Sequence, residues 1–364
     1  MTVAYFAPLP PAPSGIADYA AALLPALRRH GRVEVGARHA DVALYHLGNN
    51  QLHAGIYRRA LAEPGMVVLH DAVLHHFFLG TLGRDAYIAE FVYNYGEWHR
   101  ALAEDLWRTR AASGCGATYY DYPMLKRIAE RSRAIVVHNP AAARMVRQHA
   151  PGAAVIEIPH LFAAPPMPAP WEVIRARQDW GVPPSACLFG VFGYLRESKR
   201  LLAVLRAFAE VRRARPDTYL LIAGGFVSRD LERAAAPLTG APGIVRLPYL
   251  AERDFWRAVL AVDACINLRY PAAGETSGIT IRLMGAGKAV LLSDVEENAC
   301  YPRDACVRIE PGAAEEQALV RHMLLLTAWK ECAREIGERA AAHIAGHHQA
   351  PRIAEQYWKT LRLL

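Results

Sequence analysis

The stretch Gly274-Glu275-Thr276-Ser277-Gly278-Ile279-Thr280-Ile281-Arg282, running on into Gly287-Lys288-Ala289-Val290, decides how this chain is read. It follows an apolar run at residues 264–268 and leads through a helical segment into a second apolar run at 289–292. Short, continuous apolar runs of this kind suit strands buried on both faces of a parallel sheet. A strand, a loop with two glycines and a helix opening near Ser277 make an anion site. Helix N-termini present unpaired N–H groups and a partial positive charge, and glycine lets backbone approach a ligand closely. Glu275 would repel a bare phosphate. It suits a ligand carrying hydroxyls next to its phosphate, as a sugar nucleotide does. The alternative is a polar strand-to-helix loop in which Ser or Thr only caps the helix.

Outward from this stretch the same pattern repeats. Residues 187–192 form a strand, and Gly193-Tyr194-Leu195-Arg196-Glu197-Ser198-Lys199-Arg200 is a polar loop entering a helix with Leu201, Leu205, Phe208 and Val211 at helical spacing. Residues 219–223 form a strand ending in Gly224-Gly225, residues 244–247 another, and residues 315–326 a helix. In the first half, a strand at 3–8 is broken by Pro10, Pro11, Pro13 and Gly15, and a helix follows at 16–29. Further strands at 42–47, 66–69, 134–137 and 155–158 end in Gly48-Asn49-Asn50, His70-Asp71, His138-Asn139 and Pro159-His160. Open α/β sheets bind ligands at the carboxyl ends of their strands, where these polar residues gather.

Residues 162–170 hold four prolines in nine positions, which suits a spacer and excludes a helix or central strand. The expected fold is therefore α/β, with two doubly wound, Rossmann-like domains facing across a cleft. The expected boundaries are a first domain at 1–161, the linker at 162–170 and a second domain at 171–347. An amphipathic helix at 348–364, with Tyr357, Trp358 and Leu361, is expected to return to the first domain. The dinucleotide fingerprint GxGxxG is absent from the first strand–helix turn.

Composition narrows the classes. At 364 residues with 53% apolar and 21% charged residues, the chain can bury two ordinary cores. The net charge of +7 comes from 42 Lys plus Arg, of which only five are lysine, against 35 acidic residues. Anionic partners are favoured, but no basic run is interleaved with aromatics, so nucleic acid is not expected. The six cysteines (Cys115, Cys187, Cys265, Cys300, Cys306, Cys332) show neither CxxC nor zinc spacing, which points to a reduced, cytoplasmic protein. No secretory signal is visible, and no apolar stretch reaches the roughly 18 residues of a spanning helix. Peripheral contact with a membrane face stays open.

Phe192-Gly193-Tyr194-Leu195-Arg196 with Lys199, then Leu221-Ile222-Ala223-Gly224, Asn267-Leu268-Arg269-Tyr270-Pro271, Gly274-Glu275-Thr276-Ser277-Gly278 and Gly287-Lys288 with Val290 occur in an order that resembles glycosyltransferase family 4. Weaker echoes are Pro13-Ser14-Gly15, His70-Asp71 and His138. The resemblance implies the GT-B architecture and a retaining transfer of sugar from a nucleotide-diphosphate sugar, with no bound metal and no cofactor. It implies that Lys199, with an arginine such as Arg196, holds the pyrophosphate, that Glu275 contacts the donor sugar, and that Thr276, Ser277 and Gly278 lie against the phosphates. It places His70 by the reacting carbon and gives Gly15 the close approach to the donor. Two departures stand out: the family's second glutamate is Arg282 or Leu283 here, and the usual arginine after Gly193 is Tyr194.

Charge building on the β-phosphate needs either a metal or fixed cations and N–H dipoles, and the sequence shows no convincing metal site. Arg196, Lys199 and Arg282 supply the cations, and Gly193 and Gly224 allow backbone approach. On the acceptor side stand Asn49, Asn50, His70 and His138. His70 or Asp71 is the candidate base, and the departing phosphate is the alternative. The acceptor is a glycan, a lipid-linked sugar or a small metabolite. Two other readings are a sugar-nucleotide epimerase or phosphorylase on the same scaffold, and a non-catalytic relative that binds a nucleotide sugar.

Overall fold

The computed structural model describes residues 1–114 and 116–364, so Cys115 lies outside the described residues. The chain divides into two compact units. The first comprises Met1–Ala163, Pro271–Gly278 and His347–Leu364; the second comprises Ala164–Tyr270 and Ile279–Gly346. The loop at residues 271–278, which the sequence places in the second domain, groups with the first unit.

The first unit carries β1 (Thr2–Phe6), β2 (Arg32–Val35), β3 (Val42–Leu47), β4 (Met66–Leu69), β5 (Ala134–Val137) and β6 (Val155–Glu157) in the order β2-β1-β3-β4-β5-β6. Every pairing is parallel. The second unit carries β7 (Cys187–Phe192), β8 (Thr218–Ala223), β9 (Ile244–Leu247), β10 (Ala264–Asn267), β11 (Ala289–Ser293) and β12 (Val307–Ile309) in the order β12-β11-β10-β7-β8-β9, again parallel throughout. The central strands β4, β5, β7, β10 and β11 are buried along their whole length, as a sheet covered on both faces requires.

Two edge strands escape the sequence reading. In β2 (Arg-Val-Glu-Val) only Val33 is buried, and β12 has Arg308 at its centre. Edge strands are short and interrupted by charge, so they never form an apolar run. The long helix Lys330–His347 has no strong apolar periodicity either, because its buried face is thin, with Ala333, Gly337, Ala340 and Ile344.

Each sheet has one point where the strand order reverses. In the first unit β1 has β2 on one side and β3 on the other; in the second, β7 lies between β8 and β10. Crossovers leave such a point in opposite directions, so a crevice opens at the carboxyl ends of those strands. This places the loops after β1 and β3, and those after β7 and β10, where ligands bind.

The tail helix Ala350–Leu361 belongs to the first unit and packs on the helix Gly15–Arg28. Leu23 and Leu27 face Tyr357, Trp358 and Leu361 in one buried cluster. Trp358 Nε1 donates to the Leu27 carbonyl at 2.8 Å, and the Tyr19 and Tyr357 hydroxyls meet at 2.9 Å. A Cβ at Gly31 would come within 2.6 Å of the Trp358 ring, so the indole fills the space a side chain would take. Trp358→Ala should remove about 3–5 kcal/mol from the stability of this unit, read as a lower urea midpoint; an unchanged midpoint would show that the tail is not part of the core.

Candidate functional site

In the first unit, imidazoles from four successive strand ends surround one tyrosine. His46 is in β3, while His70, His138 and His160 follow β4, β5 and β6. Their ring centroids lie 5.9, 4.7, 5.2 and 4.7 Å from that of Tyr19. Neighbouring parallel strands stand about 4.8 Å apart, which fits the spacing of the imidazoles themselves, 5.3, 5.0 and 5.4 Å between successive ring centroids.

Burial removes these rings from water and is the main reason all of them resist protonation; neighbouring imidazoles add to it. His46 is lowered to about 3, His138 to about 4, and His53, below the Gly48 loop, to about 4. His70 and His160 are well below the ordinary histidine value. The cluster is therefore neutral at pH 7.

Hydrogen bonds then set the tautomers. His138 Nδ1–H donates to the Ile158 carbonyl at 2.8 Å, and His53 Nδ1–H donates to the His46 carbonyl at 3.0 Å. Both present a bare, buried Nε2. His46 Nδ1 and His70 Nε2 lie 3.0 Å apart, and His46 Nε2 is buried without a partner. A stranded buried N–H is costlier than a bare nitrogen in a ring able to choose. The proton thus sits on His46 Nδ1, which donates to His70, and His70 carries its own proton on Nδ1. In this tautomer His70 offers a hydrogen-bond donor, which alters the expectation that it serves as a base.

The other acceptor-side candidates have structural engagements. Asp71 Oδ2 accepts from the Asn49 backbone N–H at 2.8 Å. The Asn49 side chain accepts from Phe77 N–H at 2.7 Å and meets His76 Nδ1 at 3.3 Å, which ties the loop after β3 to the helix His75–Thr81. Asn50 caps the next turn through Leu52 N–H. His75 is held by Tyr87 and the Tyr122 carbonyl. Among the described residues, no three or more of His, Cys, Asp and Glu gather in a group that could hold a metal ion. Gly15 opens its helix behind the Ser14 cap, with open space where a Cβ would stand.

The glutamate loop also lies in this unit. Ala72 N–H donates to the Ala273 carbonyl at 2.9 Å, and Asn139 Nδ2 donates to the Gly274 carbonyl and Thr276 Oγ1, both at 3.0 Å. Gly274 has φ of 68°, and a Cβ there would meet Ala72 Cβ at 2.6 Å, so glycine is required twice over. Glu275 Oε2 accepts from the Ala273 N–H at 2.6 Å and braces the turn. Ser277 is buried, and Gly278 begins the helix Gly278–Gly285 beside His160 Nε2.

In the second unit the chemistry collects at the β7/β10 switch point. Lys199 ends a single turn after β7; its ammonium is buried and donates to the Phe192 carbonyl. Burial first, then the guanidinium groups of Arg269 and Arg196, pull its pKa well below the usual lysine value. Arg269, just beyond β10, cannot be assigned to this group from the sequence, because only the crossover puts β10 beside β7. Its backbone N–H is anchored on Ser293 Oγ at 2.9 Å. Both guanidinium charges thus act on the buried ammonium, a repulsion that a bound anion would relieve. Gly193 has φ of 85°, and a Cβ on it would come within 3.3 Å of Lys199 Nζ. Gly224 has a packing reason to be glycine: its Cβ would lie 2.0 Å from the Gly193 carbonyl oxygen. Arg282 is engaged elsewhere. Its guanidinium lies 3.9 Å from the Phe255 ring centroid and pairs with Glu252 at 2.7 Å, bracing the helix Glu252–Ala261. Tyr194 stacks on the exposed Tyr249, their centroids 5.4 Å apart.

Comparison with known proteins bears on the fold. No family profile matches the chain, and no curated protein sequence does either. Solved structures do match in fold. The Anabaena protein HepE, solved with UDP-glucose, superposes with a TM-score of 0.67 at 14% identity over 100% of both chains. Sucrose-phosphate synthase from Thermosynechococcus elongatus gives 0.68 at 13% identity over 100% of this chain and 98% of its own. WaaG, a glycosyltransferase involved in lipopolysaccharide biosynthesis, gives 0.61 at 16% identity over 97% and 98%. The chain has the two-domain, Rossmann-like GT-B fold of these glycosyltransferases.

Proposed function

We propose that the chain is a glycosyltransferase that moves a sugar from a nucleoside-diphosphate sugar to a hydroxyl acceptor, with retention at the anomeric carbon and without a metal ion. The observation that carries this reading is the convergence of Lys199, Arg196 and Arg269 at the switch point of the second unit. A buried ammonium repelled by two guanidinium charges gains when an anion arrives, and a pyrophosphate supplies two phosphates for three cations. The fold shared with HepE, solved with UDP and glucose, makes a UDP-sugar the first donor to test.

The same cations offset the charge that develops on the β-phosphate as the glycosidic bond breaks. His70, with its proton on Nδ1, hydrogen-bonds to a hydroxyl oxygen of the transferring sugar, and the departing phosphate takes the acceptor proton. Glu275, held by its own loop, accepts from donor-sugar hydroxyls. The acceptor is a glycan, a lipid-linked sugar or a small metabolite. Among the described residues no helix is long and apolar enough to cross a membrane, so contact with a lipid-linked acceptor would be peripheral. The described cysteines are all free, which favours a reducing, cytoplasmic setting.

The test is calorimetry with UDP and UDP-sugars, followed by assays of UDP release with and without acceptor. Glu275→Gln should bind UDP as wild type does while losing about 10-fold or more in turnover with the intact donor. Equal losses for both ligands would assign Glu275 to loop shape alone. Binding without transfer to any acceptor would favour a nucleotide-sugar-binding protein instead.

A further inference from the structure

We infer that Asn139 is the positioning residue of the glutamate loop, fixing Gly274–Thr276 so that Glu275 is presented to the donor sugar; the functional half of this inference rests on the donor reading above. Asn139 stands between β5 and the helix Pro140–His149, at the N-cap, and its amide works in two directions. Oδ1 accepts from Ala142 N–H at 2.9 Å, which caps the helix. Nδ2 donates to the Gly274 carbonyl and to Thr276 Oγ1. The orientation is unambiguous, because a flipped amide would set N–H against N–H and oxygen against a carbonyl.

Capping with an oxygen and donating two N–H bonds from the same group is particular to Asn among the common N-cap residues. Ser, Thr and Asp all cap helices, but only Asn adds two N–H donors on the far side of the same group. Asn139 is 2% exposed, so its bonds to the loop do not compete with bulk water. The Ala72–Ala273 backbone bond also straps the loop to this unit, at the residue before the turn. The turn itself, at Gly274 and Thr276, is held by Asn139. In the sequence Asn139 marks only the end of the strand at 134–137, because its Gly274 and Thr276 partners lie 135 and 137 positions away.

The two tasks separate by substitution. Asn139→Asp keeps an oxygen cap for Ala142 and turns the donor face into a carboxylate facing the Gly274 carbonyl. Hydrogen exchange is the first readout, since it requires no activity. Amides of residues 273–277 should exchange about 10-fold faster or more in Asn139→Asp, while those of the helix Pro140–His149 stay as protected as in wild type. Turnover with the intact donor should fall on the order of 10–100-fold, as for a reacting group misplaced by about an ångström. UDP affinity, to which the second unit's cations contribute independently of Asn139, should fall by much less than turnover does. Combining Asn139→Asp with Thr276→Asn gives the new carboxylate an amide N–H to accept and should recover part of both losses.

Unchanged exchange at 273–277 would overturn the inference, and so would faster exchange spread evenly over loop and helix, which would mark Asn139 as a simple cap. Faster loop exchange with full turnover would remove the functional half alone. If the wild-type chain transfers no sugar, the donor reading fails, while the exchange pattern still decides whether Asn139 holds the loop.

Discussion

Lys199→Met is expected to weaken UDP binding on the order of 10–100-fold and to leave the fold as stable as before, or nearly so. The two halves of this expectation have one cause. The Lys199 ammonium is buried against the Phe192 carbonyl, beside Arg269 and Arg196. Without an anion it is desolvated and repelled, and replacing such a group by an apolar chain of similar length is commonly neutral or better for stability. With a pyrophosphate bound, the same ammonium makes charge-assisted bonds worth roughly 1.5–3 kcal/mol. The pH dependence follows from the direction of its pKa. Binding an anion raises the depressed lysine pKa, so the complex holds a proton that the free protein releases earlier. UDP affinity should therefore fall as pH rises through the depressed value, and this slope should vanish in Lys199→Met. Calorimetry between pH 7 and 9, above the phosphate's own titration, reads both effects. A variant that binds UDP like wild type would remove the pyrophosphate assignment.

The second large effect concerns acid. His46, lowered to about 3, and His53 and His138, lowered to about 4, are neutral in the folded first unit but titrate near 6.5 when unfolded. Between these values the unfolded chain binds more protons, so stability rises with pH there and is greatest above about 6.5. Each pH unit below 6.5 costs roughly 1.4 kcal/mol per histidine, or about 4 kcal/mol for the three together. By pH 5 the loss is about 6 kcal/mol, a large share of the 5–15 kcal/mol that stabilises a typical domain. Urea midpoints should drop steeply from pH 6.5 to 5 and stay flat from 6.5 to 7.5. His46→Gln should shrink that slope by well under a third, because His70, His160 and His75 are held below the ordinary histidine value as well. A midpoint insensitive to pH across this range would mean that the cluster admits water and protons when folded.

The same residues show how far a one-dimensional reading reaches. The central strands were legible because a strand buried on both faces is a continuous apolar run, and β4, β5, β7, β10 and β11 are all of that kind. That the strands alternate with helices was enough for two parallel sheets, since parallel strands need crossovers. Lys199 stood out because a cation at the start of a helix opposes the helix dipole unless an anion is present. Each of these signals is local: it depends on a residue and its neighbours within one element.

What the tertiary structure alone decided is where side chains from distant elements meet. Strand order brings His46, His70, His138 and His160 around Tyr19, and it brings Arg269 to Lys199, although no spacing in the chain announces either group. Arg282, one turn into its helix, looked like a phosphate ligand until Glu252 and Phe255 occupied it. The loop at 271–278 follows a strand of the second unit yet takes its hydrogen bonds from Ala72 and Asn139 of the first. Local pattern settles which segments are buried and in what form, because burial and periodicity are properties of a segment. Partnership is settled by crossovers spanning tens to hundreds of residues, and the free energy of each hydrogen bond or ion pair depends on a neighbour that the segment itself does not contain.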